Sequence, residues 1–381
     1  MQEQERYRQQ YQQPYQQQYQ QPYQPQYYQP QYYQPQYNQQ AYQQPYQQPY
    51  QQPYQYVYVV PPAQPQSRVV TPADINCRKL RKHGLFVGAC LLGNYGIQTV
   101  VVFLLSLFGL GKILGESLAG NYAVNAFLFA FVSMGVPFFL YSLRKGNASY
   151  FKVLPFHTPQ PRAKLLLAVL AGWALCMAGN WVATLVQFWL NMQGIQLASS
   201  APVYSKNVFD IAMNFVCAGF MAPLVEEFVF RGVIMQPLRR YGESFAIYAT
   251  AFIFALAHSN PLTIAFAFVA GVAIGYAVVY TRSIWVGIII HALNNCTSVL
   301  FSELGVFWPN VFDTVYMILN ISLVVIGIIC IVVFGKVYGF KLQKNTSGVN
   351  GFKRTTAFFV GPTMIPVLLY LVVSMVQYIR F

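Results

Sequence analysis

The sequence predicts an all-α fold, a polytopic transmembrane helix bundle of about nine spans preceded by a disordered N-terminal tail. Three observations predict it. First, 55% of the 381 residues are hydrophobic and only 9% are charged, whereas a soluble domain carries about 25% charged residues. Second, the apolar residues fall in long runs of the length that a bilayer core about 30 Å thick demands, and they hold the mean hydropathy at +0.36 despite a polar start to the chain. Third, from Met1 to about Arg68 the chain is built of Gln, Tyr and Pro, with Gln-Gln-Pro-Tyr at Gln12 to Tyr15, at Gln20 to Tyr23 and three times between Gln43 and Tyr54.

Frequent proline blocks helices and strand ladders, and the scarcity of aliphatic residues removes any core, so residues 1–68 are expected to be disordered. Two readings of this tail stay open: a multivalent tyrosine segment that mediates self-association or partner binding, and a solvated appendage. Residues 69–83 form a basic juxtamembrane segment, and residues 84–381 the transmembrane domain. No cleavable signal peptide is expected, because the polar tract offers no apolar h-region. The first span then serves as the insertion signal.

The apolar runs lie near Leu85 to Leu110, Tyr122 to Leu143, Lys164 to Leu190, Phe209 to Gly232, Ser244 to Ala257, Leu262 to Tyr280, Ile284 to Leu300, Val315 to Phe334 and Thr356 to Gln377. The fifth is the shortest. The net charge of +14 could suggest nucleic acid, but no loop joins basic residues to a binding motif, so no nucleic-acid partner is expected. The placement of the charge follows the membrane instead. Arg78, Lys79, Arg81 and Lys82 precede the first span; Arg144, Lys145, Lys152 and Arg162 follow the second; Arg239 and Arg240 the fourth; Arg282 the sixth; Lys336, Lys341, Lys344, Lys353 and Arg354 the eighth. This alternation is the positive-inside pattern, which puts the N-terminus in the cytoplasm and the C-terminus outside a multi-pass protein of the cell membrane. The bilayer is thus the first partner.

Six cysteines, Cys77, Cys90, Cys176, Cys217, Cys296 and Cys330, show no paired spacing, so neither a disulfide framework nor a cysteine metal site is expected. Charge inside the spans is more informative. Met221-Ala-Pro-Leu-Val-Glu226-Glu227-Phe-Val-Phe-Arg231 keeps two carboxylates and a guanidinium in apolar sequence, against about 2.5 to 3.5 kcal/mol per group on insertion scales. Glu227 and Arg231 are four apart with the acid first, so they share a face and can pair. Glu226 is rotated about 100° away and is free to meet another partner. Pro223 is expected to disturb the helix and release backbone groups to a buried polar site.

His258 closes the fifth span in Phe254-Ala-Leu-Ala-His258, and the seventh carries His291-Ala-Leu-Asn294-Asn295. A lone histidine at a helix end is more often a satisfied interfacial residue. Three hydrogen-bonding side chains on one apolar turn each need a partner in the bundle. Counting from the basic helix ends at about 1.5 Å per residue, Glu226, His258 and Asn295 all lie about 20 Å deep, near the midplane. Gly271 and Gly275 make a small-xxx-small pair suited to close helix approach. Asn94, Gln98, Asn180 and Gln187 are expected to form interhelical hydrogen bonds.

In this order, Glu226-Glu227-x-x-x-Arg231, Phe254-x-x-x-His258 and His291-x-x-x-Asn295 resemble the three-motif signature of the CPBP family, which holds type II CAAX prenyl endopeptidases and Abi-like bacteriocin-processing proteins. The resemblance covers about Phe209 to Leu300, the expected catalytic core at 209–300. It implies a prokaryotic-type intramembrane glutamic endopeptidase in a bacterial membrane, acting on a membrane-associated peptide or protein. In that reading Glu226 activates water with the help of His258, His291 and Asn295 form an oxyanion hole, Glu227 and Arg231 support them, and no cofactor or metal takes part. A raised carboxylate can serve as general base and then acid, and neutral donors in a water-poor site stabilise an oxyanion. A catalytically silent immunity or scaffold protein, a zinc metalloprotease and a transporter remain alternatives, although His-Glu-x-x-His and an evident internal repeat are missing.

Overall fold

The computed structural model describes residues 70–110, 117–143, 156–159, 161–197 and 206–380. The expected tail over 1–68 lies outside the described residues, as do Arg144, Lys145 and Lys152. In chain order the described elements are α1 (Pro72–Leu107), α2 (Leu118–Ser142), α3 (Arg162–Met192), β1 (Gln196–Leu197), α4 (Val208–Tyr241), α5 (Glu243–Leu256), α6 (Pro261–Thr281), α7 (Ile284–Phe307), α8 (Pro309–Tyr338), α9 (Gly351–Phe359), α10 (Met364–Val376) and β2 (Ile379–Arg380).

This is a multi-pass membrane protein of helices. Seven of them, α1 to α4 and α6 to α8, are long and apolar enough to cross a bilayer. The bent pair α9 and α10, at 77°, makes an eighth if it is one span. All nine expected segments are helical, yet against the expected nine spans the described residues hold seven or eight. The fifth segment, α5, has 14 residues and reaches about 21 Å, short of the bilayer's 30 Å. The small antiparallel pair β1–β2, with Gln196 opposite Arg380, is an element that the sequence patterns did not announce.

Local chemistry explains the joints. α1 starts with Pro72 after a capping box in which Thr71 Oγ1 accepts from the Asp74 N–H at 3.2 Å and Asp74 Oδ2 accepts from the Thr71 N–H at 3.0 Å. The basic segment is therefore helical from Pro72 onward. The break between α9 and α10 falls at Gly361-Pro362, and the bent pair packs on α1 at its glycines. A Cβ at Gly88 would come within 2.6 Å of Thr363 Oγ1, and the Thr363 hydroxyl donates to the Leu85 carbonyl at 2.8 Å.

Between α5 and α6 the chain turns at Ser259, with φ 59°, and Asn260 caps α6 by accepting from the Leu262 N–H at 3.0 Å. The two helices then lie close. A Cβ at Gly271 would meet Ala251 at 3.1 Å, and one at Gly275 would meet Ile247 at 3.0 Å, the close approach expected of the small pair. α4 is irregular at its centre: a short α stretch, Ala222–Glu227, sits between π-helical stretches Phe215–Met221 and Phe228–Ile234. The buried core of Val229, Phe230, Ile247, Ile253, Ile274, Val286 and Ile290 packs around α4 to α7.

Of the other intramembrane amides, Asn94 and Gln98 join Ser133 across α1 and α2, with Ser133 donating to Asn94 at 2.7 Å. Gln187 instead stands exposed, and Asn180 lines a cavity. At one end of the bundle several basic stretches are tied together. Asn76 donates to the Ser347 carbonyl at 2.8 Å, Arg240 to Asn76 at 2.7 Å and Arg354 to the Tyr241 carbonyl at 2.6 Å.

Candidate active site

Glu226 and Glu227 both lie in the short α stretch of α4, Ala222–Glu227. Glu227 is fully buried and Arg231 is 1% exposed, and their side chains meet at 2.7 Å, the i,i+4 pair expected from spacing. Arg231 also donates to the Gly271 carbonyl at 3.2 Å and stacks its guanidinium over Phe254, 4.6 Å from the ring centre. The same Glu227 Oε1 takes a second hydrogen bond, from His291 Nδ1 at 2.9 Å. Sequence spacing held no sign of this link between α4 and α7. Gly287, one turn before His291, permits it: a Cβ there would lie 2.9 Å from Glu227 Oε2.

With its Nδ1–H donated to a carboxylate, neutral His291 carries its lone pair on Nε2. That nitrogen lies 3.9 Å from Glu226 Oε2, an approach rather than a hydrogen bond. Glu226 is 18% exposed, and its Oε2, like Glu227 Oε2, is buried without a hydrogen-bond partner among the described residues. The expectation that Glu226 faces away from the Arg231 pair agrees with this placement. The expectation that His291 offers a neutral donor does not fit the tautomer, because a neutral Nε2 here accepts.

His258 sits at the turn after α5, where its Nδ1 donates to the Phe254 carbonyl at 2.8 Å, so its neutral form also leaves Nε2 as an acceptor. The Phe254 ring packs edge-to-face with both imidazoles, with centroids 4.8 Å from His258 and 5.8 Å from His291. Asn295 donates through Nδ2 to the Ala218 carbonyl at 2.9 Å and accepts from Asn294 at 3.2 Å. The first contact has a backbone cause. In the i→i+5 register of Phe215–Met221, the carbonyl of Ala218 faces residue 223, a proline with no N–H to give. Asn295 supplies the missing donor and keeps one amide hydrogen in reserve.

Two cavities flank this cluster. One, of about 640 Å³, is walled by His258, Asn294, Asn295, Asn180, Ser298 and Tyr316 among others. The second, of about 260 Å³, is walled by Glu226 with Gln98, Tyr122, Asn125 and residues of α2 and α4. Glu226, Glu227, Arg231 and His291 thus form one cluster. His258 and Asn295 share the larger cavity, whereas Glu226 opens on the smaller one. Among the described residues no group of three or more His, Cys, Asp or Glu side chains is arranged to hold a metal ion.

The comparisons with known proteins fall on this same stretch. Residues 208–297 match the family model described as Rce1-like, Type II CAAX prenyl endopeptidase. That match covers 90 of the 381 residues, so over this stretch the chain is similar to the Rce1-like endopeptidases. The matched region runs from the start of α4 through the Asn295 turn of α7, so it contains Glu226, Glu227, Arg231, His258, His291 and Asn295. A curated relative, the membrane-embedded CAAX protease MroQ of Staphylococcus aureus (strain USA300), is 30% identical over 161 residues, 40% of this chain. The chain spans 64% of the length of that relative. No solved structure matches.

Proposed function

We propose that this protein is an intramembrane glutamic endopeptidase that hydrolyses a peptide bond in a membrane-associated peptide or protein. One observation carries the reading: a carboxylate that opens on a cavity, Glu226, stands 3.9 Å from an imidazole whose orientation a buried ion pair fixes. Support also comes from the match to the Rce1-like family model over 208–297 and from the CAAX-protease relative. In the proposed cycle, ionised Glu226 takes a proton from water while the water oxygen bonds to the scissile carbonyl carbon. Collapse of the tetrahedral intermediate breaks the C–N bond, and Glu226 returns the proton to the leaving amine.

Glu227 and Arg231 orient His291, whose Nε2 faces Glu226 and can share that proton. His258, on the wall of the larger cavity, binds and orients the incoming water or peptide through its Nε2. The reserved amide hydrogen of Asn295 is a donor to the developing oxyanion. Donation from His291 as well would require its imidazolium form. The catalytic groups lie near the midplane in a chain whose N-terminus is cytoplasmic, a topology that the gathering of basic stretches at one end of the bundle supports.

Glu226→Gln keeps shape and removes the base. With a membrane peptide as substrate and mass spectrometry as readout, the parent should cleave and the folded variant should not. Undiminished turnover in the variant would end the glutamic mechanism. A catalytically silent scaffold is favoured by one observation, the opening of Glu226 and His258 on different cavities. Absence of cleavage by the well-folded parent would select it.

A further inference from the structure

Away from the candidate site, a cavity of about 380 Å³ lies among the ends of α3, α6 and α8, with Lys164, Arg282, Lys341, Tyr280, Tyr338 and Gln343 on its walls. Three cations look into it. Its acidic wall residue, Glu243, is already committed: one oxygen accepts from Arg239 and the other from the Gln343 N–H at 2.7 Å. Among the described residues, Lys164, Arg282 and Lys341 form no ion pair with an acid. Elsewhere at this end, Asp74 serves the α1 cap, while Asp210, Glu303 and Asp313 sit toward the opposite ends of α4, α7 and α8 from Arg239, Arg282 and Lys336. The cavity is therefore a concentration of uncompensated positive charge.

Its construction is specific. Arg282 is the first of the two residues that join α6 to α7 and lies in the left-handed region, φ 55° and ψ 33°, where a side chain beyond Gly, Asn or Asp is uncommon. Ser283 donates to the His157 carbonyl at 2.6 Å and Trp285 to the Phe156 carbonyl at 3.0 Å, so the preceding segment is pinned beside that joint. Lys164 lies over the Tyr338 ring, 5.6 Å from its centre. The floor is apolar. Tyr280 and Phe334 belong also to the wall of a second cavity of about 220 Å³, lined by Gly172, Ala273, Ala277 and Ile331 between α3, α6 and α8.

A basic cup that continues into an apolar slot at the end of a transmembrane bundle fits one amphipathic class of ligand. We propose that the two cavities hold an anionic phospholipid, with its phosphate among Lys164, Arg282 and Lys341 and an acyl chain between α3, α6 and α8. Basic pockets between transmembrane helices recognise such headgroups. The lipid would fill the gap along α3 and tie it to α6 and α8, in cavities whose walls do not include Glu226.

The test uses the full chain in vesicles of phosphatidylcholine, with and without phosphatidylglycerol, read by thermal unfolding and by native mass spectrometry of retained lipid. Phosphatidylglycerol should raise Tm and remain bound. The double variant Arg282→Asn, Lys341→Gln should weaken the apparent affinity, about fivefold for each charge removed. Asn tolerates the left-handed joint, so Tm in phosphatidylcholine alone verifies the fold. Lys79→Gln, Arg81→Gln, which removes exposed cations outside the cavity, should leave the effect in place. An equal Tm rise in parent and cavity variant, or a loss matched by the Lys79 and Arg81 variant, would overturn the site. A rise reproduced by glycerol phosphate, with no further gain from the lipid, would overturn the lipid assignment in favour of a free phosphate ester.

Discussion

On one side of α4 the Glu227 carboxylate is sealed from solvent and its Oε1 takes hydrogen bonds from Arg231 and His291, while on the neighbouring side Glu226, 18% exposed, accepts none of these and opens on a cavity. Two adjacent residues of one type thus occupy a closed and an open environment. A turn of about 100° between neighbours separates them, and the surrounding helices complete the difference: Gly271 and Gly287 bring α6 and α7 up to the closed side. Buried charge on the closed side holds the bundle in one arrangement. On the open side it is available for chemistry.

That contrast is broken most severely by exchanging the fates of the two glutamates. Glu226→Gln should remove all measurable cleavage and leave Tm near that of the parent. Glu227→Ala should instead strand Arg231 and lower stability by about 3 to 5 kcal/mol, the effect of removing one partner of a buried pair. Urea or thermal unfolding in mixed micelles reads this directly. Replacing both members, Glu227→Leu with Arg231→Met, should regain much of the stability, because apolar side chains of similar volume often match a buried ion pair. The double variant should nevertheless cleave poorly, since His291 has lost the carboxylate that orients it. Equal loss of stability in the Glu226 and Glu227 single variants would erase the distinction.

Asn295 stands between the two environments, one amide hydrogen given to the Ala218 carbonyl and the other in reserve. If the reserved hydrogen meets the oxyanion, Asn295→Ala should lower kcat by about 100- to 1,000-fold, the usual consequence of losing one such donor. The Ala218 carbonyl loses its donor in the same variant, so a loss of stability of the size expected for one buried hydrogen bond, about 1 to 3 kcal/mol, should accompany it and lower Tm. A Tm drop without a change in kcat would make Asn295 a structural residue alone.

The fold was legible to different depths in different places. Long apolar runs announced every crossing helix, because hydrocarbon thickness leaves a backbone few choices. The Glu227–Arg231 pair followed from spacing within one helix. The Glu227–His291 and Asn295–Ala218 contacts did not, for each joins α4 to α7 and depends on packing that no local pattern encodes. The second of these was half visible in Pro223, whose missing N–H had to leave a carbonyl seeking a donor. α5 shows the opposite failure: its apolar composition matched a span, and only its 14 residues betray that it stops short. Gly361-Pro362 likewise split the last apolar run where hydropathy alone counted one helix.

A still smaller effect is expected from metal removal. Cleavage should persist in EDTA or phenanthroline if a carboxylate activates the water, and a loss that zinc restores would shift the chemistry to a metal-bound hydroxide.

The smallest change is expected where the chain differs most from the site in composition. Residues 1–66 offer Gln, Tyr and Pro and almost no aliphatic side chain with which to build a core. The helix that follows needs none of them to begin, since the cap of α1 is made by Thr71, Pro72 and Asp74. A chain truncated to start at Ser67 should therefore keep its Tm and its rate on a short peptide. A folded but inactive truncation would show that the tail takes part in the catalytic machinery. Reduced processing of a full-length membrane substrate at an unchanged rate on the short peptide would assign the tyrosine repeats to recruitment. Protease access reports its location: cleavage of the tail in inside-out vesicles and its protection in intact cells are expected from the basic residues at the start of α1. Digestion in intact cells would invert the topology, placing the Arg240–Asn76 end of the bundle outside.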